Sequence, residues 1–419
     1  MSSQSFRFLH ASDLHLEQPL GGQAEVPGHL RDLFLDAPFT AAERVFDATV
    51  RERVDFLVLS GDVLSPTLAG PRGISFLLNQ FDRLNTHGIA VYWAGGKCDG
   101  PQDWPNAAKL PDNVQVFPSY KSEEVSHFRG EKPLASIIGR SWHGAAAISG
   151  TDYGVDSGNL FTLAIGHGQG DYARLVQRGI DFWALGGRHE RETLGNPHDG
   201  IGDEWQGIGT VHYPGSPQGR TLDETGPHGC TLVHVADDRT VRTQFIPTDA
   251  VRWQNEGLTV ELEETRADVK RRIGERMKEL LIEAVERPLL VRWEIAGGNR
   301  IASLARRREW GAELLEWLRT EYGQGRAPVW TLDLEMQHDK IAAAEWYEEE
   351  SMLGDFLRVI RAQDSADAVP LDLMEYLPER QRTTRLAAIT DWTDNETRGS
   401  LLREAALLGA QLLGAEERI

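Results

Sequence analysis

The sequence predicts an α/β protein, and three observations point to that class. Short, continuous apolar runs alternate with helical segments through the first part of the chain. Such runs are typical of strands that are buried on both faces. Asp, His and Gly follow several of the runs directly, and ligands of α/β sheets gather at the carboxyl ends of strands. Later runs lie closer together, which indicates antiparallel pairing in the second half of this domain.

The first elements are three strands separated by two helices. The first helix is expected after Thr40 because Val45, Ala48 and Thr49 have helical spacing. In chain order we predict a strand at Phe6–Ala11, a helix at Ala41–Arg53, a strand at Asp55–Ser60, a helix at about Gly73–Thr86 and a strand at Ile89–Ala94.

Further strands follow, and then the organisation changes near residue 250. We predict these strands at 135–140, 160–165, 182–185, 209–213, 230–235 and 241–246. Beyond them, Thr265 and Asp268 have the spacing of a capping box that starts a helix to about Glu286. Strands are expected at 258–262, 289–295 and 330–336, a helix at 302–322, and an acidic helical segment from about residue 340. This organisation predicts three domains, at residues 1–250, 251–338 and 339–419.

The composition is that of an ordinary globular protein, with 419 residues and 40% hydrophobic content. The sequence contains no apolar run near 18 residues and no secretory signal at its start, so we expect neither a membrane span nor export. Two cysteines far apart, Cys98 and Cys230, favour a reducing cytoplasm. The net charge of −20 argues against a protein that grips nucleic acid unaided, because such proteins usually have a basic surface.

Five residues of metal-binding type follow predicted strands. They are Asp13, His15, Asp62, His167 and His189. Asp13 and His15 are two residues apart, so a strand places both side chains on one face. Asp and His together suit Mn, Fe or Zn better than Ca or Mg. Each residue taken singly is more often a turn or cap residue, but five of them in one α/β domain favour a metal site. An aspartate such as Asp62 could bridge two cations that activate water for in-line attack on phosphorus.

Six motifs follow one another along residues 12–220. They are S-D-L-H-L, L-S-G-D-V, G-G-x-x-D, G-H-G, A-L-G-x-x-H and Y-P-G-S-P-Q-G-R. In this order they resemble the calcineurin-type metallophosphoesterases, and the last motif is similar to the SbcD/YhaO branch of DNA repair exonucleases. The resemblance covers roughly residues 5–250 and continues over 258–336 as a capping domain. It implies a four-layer α/β/β/α sandwich, a small α+β capping domain and a helical C-terminal region.

The resemblance also implies where metals bind. The family holds one metal with the D-x-H pair, the bridging Asp and the last His of G-H-x-H. Those positions here are Asp13, His15, Asp62 and His189. The family holds the other metal with the bridging Asp, an Asn, the His of H-G and the first His of G-H-x-H. Those positions here are Asp62, Lys97, His167 and Gly187. The catalytic His of the family corresponds to Cys98, and its Asp neighbour is retained as Asp99.

These departures predict one metal site with all its ligands and a second site that lacks two of them. A protonated Lys97 has no lone pair to offer a cation, and Gly187 contributes no ligand atom. The thiol of Cys98 is a poor substitute for an imidazole that donates to a leaving oxygen. We therefore expect at most one tightly bound divalent metal, Mn with Fe or Zn as alternatives, and the charge of Lys97 in place of the second metal. The candidate catalytic residues are Asp62, Lys97, Cys98 and Asp99.

Three functions remain open at this point. The first is a metal-dependent phosphodiesterase that resembles a DNA repair exonuclease and acts on DNA ends with an SMC-like ATPase partner. The second is a catalytically impaired binding or regulatory subunit of such an ATPase complex. The third is a small-molecule phosphodiesterase that uses one metal, with Lys97 clamping the phosphate as a point charge.

Overall fold

The structure is a computed structural model, and it describes most of the chain. The described residues are 4–21, 27–154, 160–195, 204–205, 209–260, 264–283, 287–297, 304–325, 327–336, 344–363, 379 and 395–413. They form two compact units. The first comprises Met1–Gln254, Glu283–Leu290 and Gly325–Pro328, and the second comprises Asn255–Ile282, Val291–Gln324 and Val329–Ile419. The predicted boundaries near residues 250 and 338 stay a prediction.

The first unit contains two sheets and the helices that cover them. Its strands are β1 (Phe6–Ala11), β2 (Phe56–Leu59), β3 (Ala90–Ala94), β4 (Val114–Phe117), β5 (Glu123–Arg129), β6 (Lys132–Gly139), β7 (Phe161–His167), β8 (Phe182–Gly186), β9 (Glu192–Leu194), β10 (Glu204–Trp205), β11 (Thr210–Tyr213), β12 (Gly229–Val235) and β13 (Val241–Pro247). Its helices are α1 (Arg31–Arg51), α2 (Pro66–Thr86) and α3 (Tyr172–Val176).

One sheet has the strand order β10-β13-β12-β1-β2-β3-β4, and the other has the order β5-β6-β7-β8-β11-β9. Strands β1 to β4 run parallel, as do β6, β7, β8 and β11. The antiparallel partners lie towards the sheet edges, with β12 against β1, β13 against β12, β5 against β6 and β9 against β11. The predicted antiparallel pairing is confirmed for β12 and β13. Strand β11 is antiparallel to β9 but parallel to its other neighbour, β8.

The two sheets pack face to face, as the alternation along β1 illustrates. Phe8 points towards the second sheet and meets Phe182 of β8 edge-on, at 5.5 Å between ring centroids. It also stacks on Phe56 of the neighbouring strand β2, at 5.1 Å. Leu9, the next residue, belongs instead to the apolar cluster under α1 and α2. Helix α3 covers the outer face of the second sheet through Leu175. The predicted four-layer α/β/β/α sandwich is therefore confirmed, and each large side chain buried in it stabilises the fold by about 1.5–3 kcal/mol.

Helix α1 begins ten residues earlier than predicted, at Arg31 instead of Ala41. Pro38 lies inside the helix and has no N–H for the carbonyl of Phe34, four residues earlier. The N–H of Leu20 donates to that carbonyl at 3.1 Å, so the proline leaves no orphaned acceptor. A contact from outside the helix thus makes the proline tolerable, which local sequence patterns could not reveal.

Helix α2 also begins earlier than predicted, at Pro66, because proline is well suited to the first helical position. Gly70 interrupts it with a φ of 59°, so residues 66–69 form a helical turn separate from the rest of α2. Strands β4, β5, β9 and β10 were not predicted. Other predicted strands of this unit match within about three residues.

The second unit contains a three-stranded sheet, two helices that flank its strands in the sequence, and a helical pair. The elements are β14 (Arg252–Val260), α4 (Arg266–Glu283), β15 (Leu289–Gly297), α5 (Leu304–Tyr322), β16 (Val329–Met336), α6 (Met352–Gln363) and α7 (Asn395–Leu412). The capping box is confirmed, since the Thr265 N–H donates to Asp268 at 3.1 Å and the Asp268 N–H donates back to the Thr265 hydroxyl at 3.3 Å. Within the described part of the chain, each helix is too short or too polar to cross a bilayer.

Candidate metal centre

Two loops interlock at the carboxyl ends of β1 and β2, and both carry predicted ligands. The N–H of Asp13 donates to the Gly61 carbonyl at 2.9 Å, and the N–H of His15 donates to the Asp62 carbonyl at 3.0 Å. Asp13, His15 and Asp62 all have left-handed backbone conformations, with φ of 54°, 42° and 51°. Each such residue costs of order 1–3 kcal/mol, and such strain clusters at functional sites. The loops hold these three residues in backbone conformations that non-glycine residues rarely adopt.

Asp13, His15 and His189 form the first ligand group, with atoms that all lie within 4.8 Å of one another. The Nε2 atoms of His15 and His189 are each 4.0 Å from Oδ1 of Asp13. Atoms that share one cation at bond lengths of about 2.1 Å lie at most about 4.2 Å apart, and both nitrogen–oxygen distances are within that limit. Oδ1 of Asp13 is buried and accepts no hydrogen bond from any described residue. Such an orphaned acceptor between two imidazoles fits a divalent metal.

Asp13, Asp62 and His167 form a second group. Nδ1 of His167 donates to the Ser60 carbonyl at 2.9 Å, so Nε2 faces Oδ2 of Asp62 at 3.2 Å. The same oxygen of Asp62 lies 3.8 Å from Nε2 of His15, and Asp62 therefore lies between the two groups. This position matches the bridging role that the sequence predicts for Asp62.

Asp62 and His167 perturb each other strongly. Burial alone would raise the pKa of the Asp62 carboxyl, but the hydrogen bond and charge of His167 lower it well below its usual range. Burial likewise opposes protonation of His167, yet Asp62 outweighs this effect and raises the pKa of His167 to about 9. Without a cation the two residues form an ion pair, so a metal that uses Nε2 of His167 must displace its proton.

Two carboxylates that the sequence analysis did not single out support the histidines. Glu17 lies 3.2 Å from Nδ1 of His15 and accepts the Ser65 N–H at 2.9 Å. Glu224 lies 2.5 Å from Nδ1 of His189. A carboxylate on the far nitrogen is the usual companion of a metal-binding histidine, because it fixes the tautomer and the ring orientation. The sequence contains two weak signals for these roles. Glu17 lies two residues after His15, and Glu224 lies shortly after the P-G-S-P-Q-G-R turn.

Arg220 completes the support of His189. Its side chain is buried, and Nη2 lies 3.0 and 3.1 Å from the two ring nitrogens of His189. The backbone N–H of Arg220 donates to Glu224 at 2.8 Å. Burial works against the Glu224 charge, but the hydrogen bond from His189 and the contacts of Arg220 outweigh it and lower the pKa of Glu224 to about 2. Glu224 therefore stays ionised and can accept a proton from Nδ1 of His189.

Comparisons with known proteins agree with this geometry. Residues 6–194 match the family model of calcineurin-like phosphoesterases. That range runs from β1 to β9 and includes all five predicted metal ligands. The chain is also 33% identical over 267 residues to YhaO of Bacillus subtilis (strain 168), which is described as an uncharacterized metallophosphoesterase. This match covers 60% of the present chain and 63% of the relative, so the chain spans less than two thirds of that protein. Residues 6–194 of the N-terminal unit are thus similar to the calcineurin-like phosphoesterase domain.

Asp99, the retained neighbour of the lost catalytic histidine of this family, anchors the loop. It is buried and accepts the N–H groups of Asp62 at 2.9 Å and Gly96 at 2.6 Å with one oxygen. Its other oxygen accepts Nε1 of Trp93 at 2.8 Å and the Val63 N–H at 3.1 Å. Burial and the nearby Asp62 charge raise the pKa of Asp99 to about 6. These contacts indicate that Asp99 positions the backbone that carries Asp62.

The motif resemblance predicts that Cys98 and Lys97 lie at the positions of the family's catalytic His and ligand Asn. The N–H of Cys98 donates to Oδ1 of Asp62 at 2.9 Å, while burial and the charges of Asp99 and Asp62 raise the pKa of the thiol far above its usual range. Lys97 is exposed, and its ammonium has no hydrogen bond or ion pair with a residue that the structure describes. Its role as a substitute for the second cation stays a prediction.

Gly187 replaces the first His of G-H-x-H, and its backbone is part of the site. Its N–H donates to Oδ2 of Asp13 at 2.9 Å. Its φ is 95°, and a Cβ atom built there would lie 3.1 Å from Nε2 of His167. The missing side chain therefore lets the backbone approach both ligand groups closely.

Proposed function

We propose that this chain is a metal-dependent phosphodiesterase that acts on nucleic acid, with one cation held by Asp13, His15, Asp62 and His189. Manganese is the proposed ion, because a mixed Asp and His ligand set suits a borderline metal. The observation that carries the proposal is the orphaned Oδ1 of Asp13, which lies 4.0 Å from the nearest nitrogen of each of two histidines. Each of those histidines is supported by a carboxylate on its other nitrogen.

A divalent cation in this group would supply positive charge to a phosphoryl oxygen and lower the pKa of a water molecule. The residues of the chain would prepare the site for it. Glu17 and Glu224 direct Nε2 of His15 and His189 towards Asp13. The backbone N–H groups of Gly187 and Cys98 hold the carboxylates of Asp13 and Asp62 in fixed orientations.

Leaving-group protonation is the weak step of the proposed reaction. Cys98 replaces the family's catalytic imidazole, and a thiol whose pKa is raised this far is a poor proton donor at neutral pH. We therefore expect the chain to hydrolyse an aryl phosphodiester, whose leaving group needs no proton, faster than a DNA phosphodiester.

A second candidate is a binding subunit with impaired catalysis, in a complex with an SMC-like ATPase that delivers DNA ends. Lys97, Cys98 and Gly187 favour it, because Lys97 and Gly187 remove two of the four ligands of the second metal and Cys98 replaces the general acid. In this case the retained metal would stabilise the loops rather than carry out hydrolysis.

Metal counting and two substrates separate these candidates. The purified chain would be loaded with Mn²⁺ and analysed for metal, then assayed on bis(p-nitrophenyl) phosphate and on linear duplex DNA. We expect one Mn per chain and aryl diester hydrolysis that Asp13→Asn abolishes and the exposed control Asp82→Asn leaves intact. Two tightly bound Mn per chain would contradict the single-site proposal. Hydrolysis of neither substrate, with retained binding to an SMC-like ATPase, would favour the second candidate.

A further inference from the structure

A cavity of about 290 Å³ lies beside the loop that carries Asp62, and the proposed reaction does not use it. Its walls come from the start of α2, the end of β3, β4 and the segment that joins β3 to β4. The large apolar side chains in the lining are Pro66, Trp93, Pro101, Trp104, Leu110 and Val116. Ligand pockets begin at about 300 Å³, so this cavity has room for a single flat ring system and not for a longer segment of a polymer.

Two tryptophans give the cavity an aromatic corner. The ring centroids of Trp93 and Trp104 lie 5.6 Å apart, and the two planes meet at 83°. Nε1 of the buried Trp93 donates to Asp99 at 2.8 Å, and Nε1 of the half-buried Trp104 donates to the Ala108 carbonyl at 2.6 Å. These hydrogen bonds fix both rings. A flat aromatic guest gains most from such walls, because its ring can stack on one indole while its edge meets the other.

Polar groups at the rim of the cavity complement a nucleotide. Asn106 and Lys109 line the cavity and are exposed, and neither side chain makes a hydrogen bond or ion pair with a residue that the structure describes. The amide can donate to and accept from the edge of a base, and the ammonium can donate to a phosphate oxygen. Asp99 is the single acidic residue among the lining residues, and its two oxygens already accept four N–H groups.

The cavity is close to the metal centre. One oxygen of Asp99 accepts the N–H of Asp62 at 2.9 Å and the other accepts Nε1 of Trp93 at 2.8 Å, so a single carboxylate separates the ligand loop from the aromatic corner. Between them at the surface lies Cys98. It is half-buried, its N–H donates to Asp62, and Gly100, two residues later, lines the cavity. This short distance suits one nucleotide, with its phosphate near Asp62 and its base in the cavity.

We propose that this cavity binds the base of the nucleotide next to the scissile phosphodiester. The choice of a nucleotide rests on the proposed function, and the aromatic walls specify which part of it enters the cavity. Stacking on aromatic side chains tolerates every base, because each base has a π face. The volume holds one base at a time. The cavity would therefore fix the position of one nucleotide at the metal centre without reading a sequence.

Binding without catalysis tests the proposal. The 5′-monophosphate of 2-aminopurine deoxyriboside, a fluorescent nucleotide whose emission falls when its base stacks, would be titrated with the full chain in EDTA. EDTA keeps the metal centre out of the measurement, so failure of the proposed hydrolysis and failure of the cavity are distinguishable. We expect quenching that saturates and that dAMP reverses by competition. Deoxyribose 5-phosphate, which lacks a base, should compete at least about tenfold less well than dAMP.

Trp104→Leu should weaken binding about fivefold or more, because it removes one stacking wall, and Trp104→Phe should restore most of the affinity. Ala108→Leu is a second variant that narrows the cavity but keeps Trp104 and the backbone carbonyl that its indole uses, so the test survives if Trp104→Leu fails to fold. It should also weaken binding about fivefold or more. The matched control is Trp346→Leu, which changes a half-buried tryptophan outside the cavity. Absent binding by the wild type, equal affinity in the wild type and Ala108→Leu, or equal competition by deoxyribose 5-phosphate and dAMP would overturn the proposal.

Discussion

Nδ1 of His189 lies 2.5 Å from a carboxylate oxygen of Glu224, and this pair determines which nitrogen of His189 is available to a metal. Glu224 is a poor proton donor at neutral pH because its pKa is lowered to about 2. The proton between them therefore belongs to Nδ1 of His189. The lone pair of Nε2 lies 3.1 Å from Nη2 of Arg220 and 4.0 Å from Oδ1 of Asp13, so a metal must compete with Arg220 for it.

Replacing Glu224 with Gln should weaken metal binding without unfolding the site. Loss of a carboxylate that orients a ligating histidine typically costs about 10-fold to 100-fold in metal affinity. The measurement is competition of the metal-free variant with a fluorescent chelator for Mn²⁺. The adjacent exposed residue supplies the control, since Asp223→Asn removes one charge nearby without contacting His189. Equal Mn²⁺ affinity in Glu224→Gln and the wild type would show that Glu224 does not support the site.

Gly187→His should destabilise the fold, although it restores a ligand of the family motif. A side chain there must adopt a φ near 95° and place its Cβ 3.1 Å from Nε2 of His167. We expect a loss of about 1–3 kcal/mol in unfolding free energy, measured by denaturant titration. Gly187→Ala is the control, because it has the same backbone strain without the imidazole. The double change Lys97→Asn with Cys98→His avoids this position and is the better attempt to restore a second metal. A Gly187→His variant of wild-type stability that binds two Mn would contradict this expectation.

The sequence indicated the candidate metal ligands more clearly than the side chains that orient them. Asp13, His15, Asp62, His167 and His189 are visible because each follows an apolar strand, and parallel strands bring their carboxyl ends together. The roles of Glu17 and Glu224 depend on which side chains fold against the histidines, and no periodicity encodes that. The early start of α1 depends in the same way on the N–H of Leu20, which lies outside the helix. Local patterns therefore predicted most strands of the first unit and the candidate ligands that the structure brings together, whereas contacts between distant segments determined the rest.

The stability of the metal-free chain should fall as the pH rises above neutrality. The folded-state pKa of His167 is raised to about 9, above its ordinary value of 6.5. Its ion pair with Asp62 thus contributes stability that is fully present below pH 6.5 and is lost as the pH rises through 9, a difference of a few kcal/mol. Thermal melts in EDTA across this range would measure it. His167→Asn should flatten the pH dependence, and a wild-type melting temperature that stays constant between pH 6.5 and 9 would refute the pairing.

Asp99→Asn should damage the metal centre through the backbone rather than through a lost ligand. Asp99 accepts four hydrogen bonds, two on each oxygen, and an amide must turn its NH₂ group towards one pair of donors. Two buried donors then lose their acceptor, which costs about 2–6 kcal/mol in unfolding free energy. Because one of the four donors is the N–H of Asp62, Mn²⁺ affinity should fall together with stability. Trp93→Phe is a graded comparison, since it removes a single donor and leaves the carboxylate in place, with an expected cost of about 1 kcal/mol from the lost hydrogen bond. Denaturant titration and Mn²⁺ competition on both variants check this, and an Asp99→Asn protein with wild-type stability and affinity would show that the carboxylate does not hold the loop.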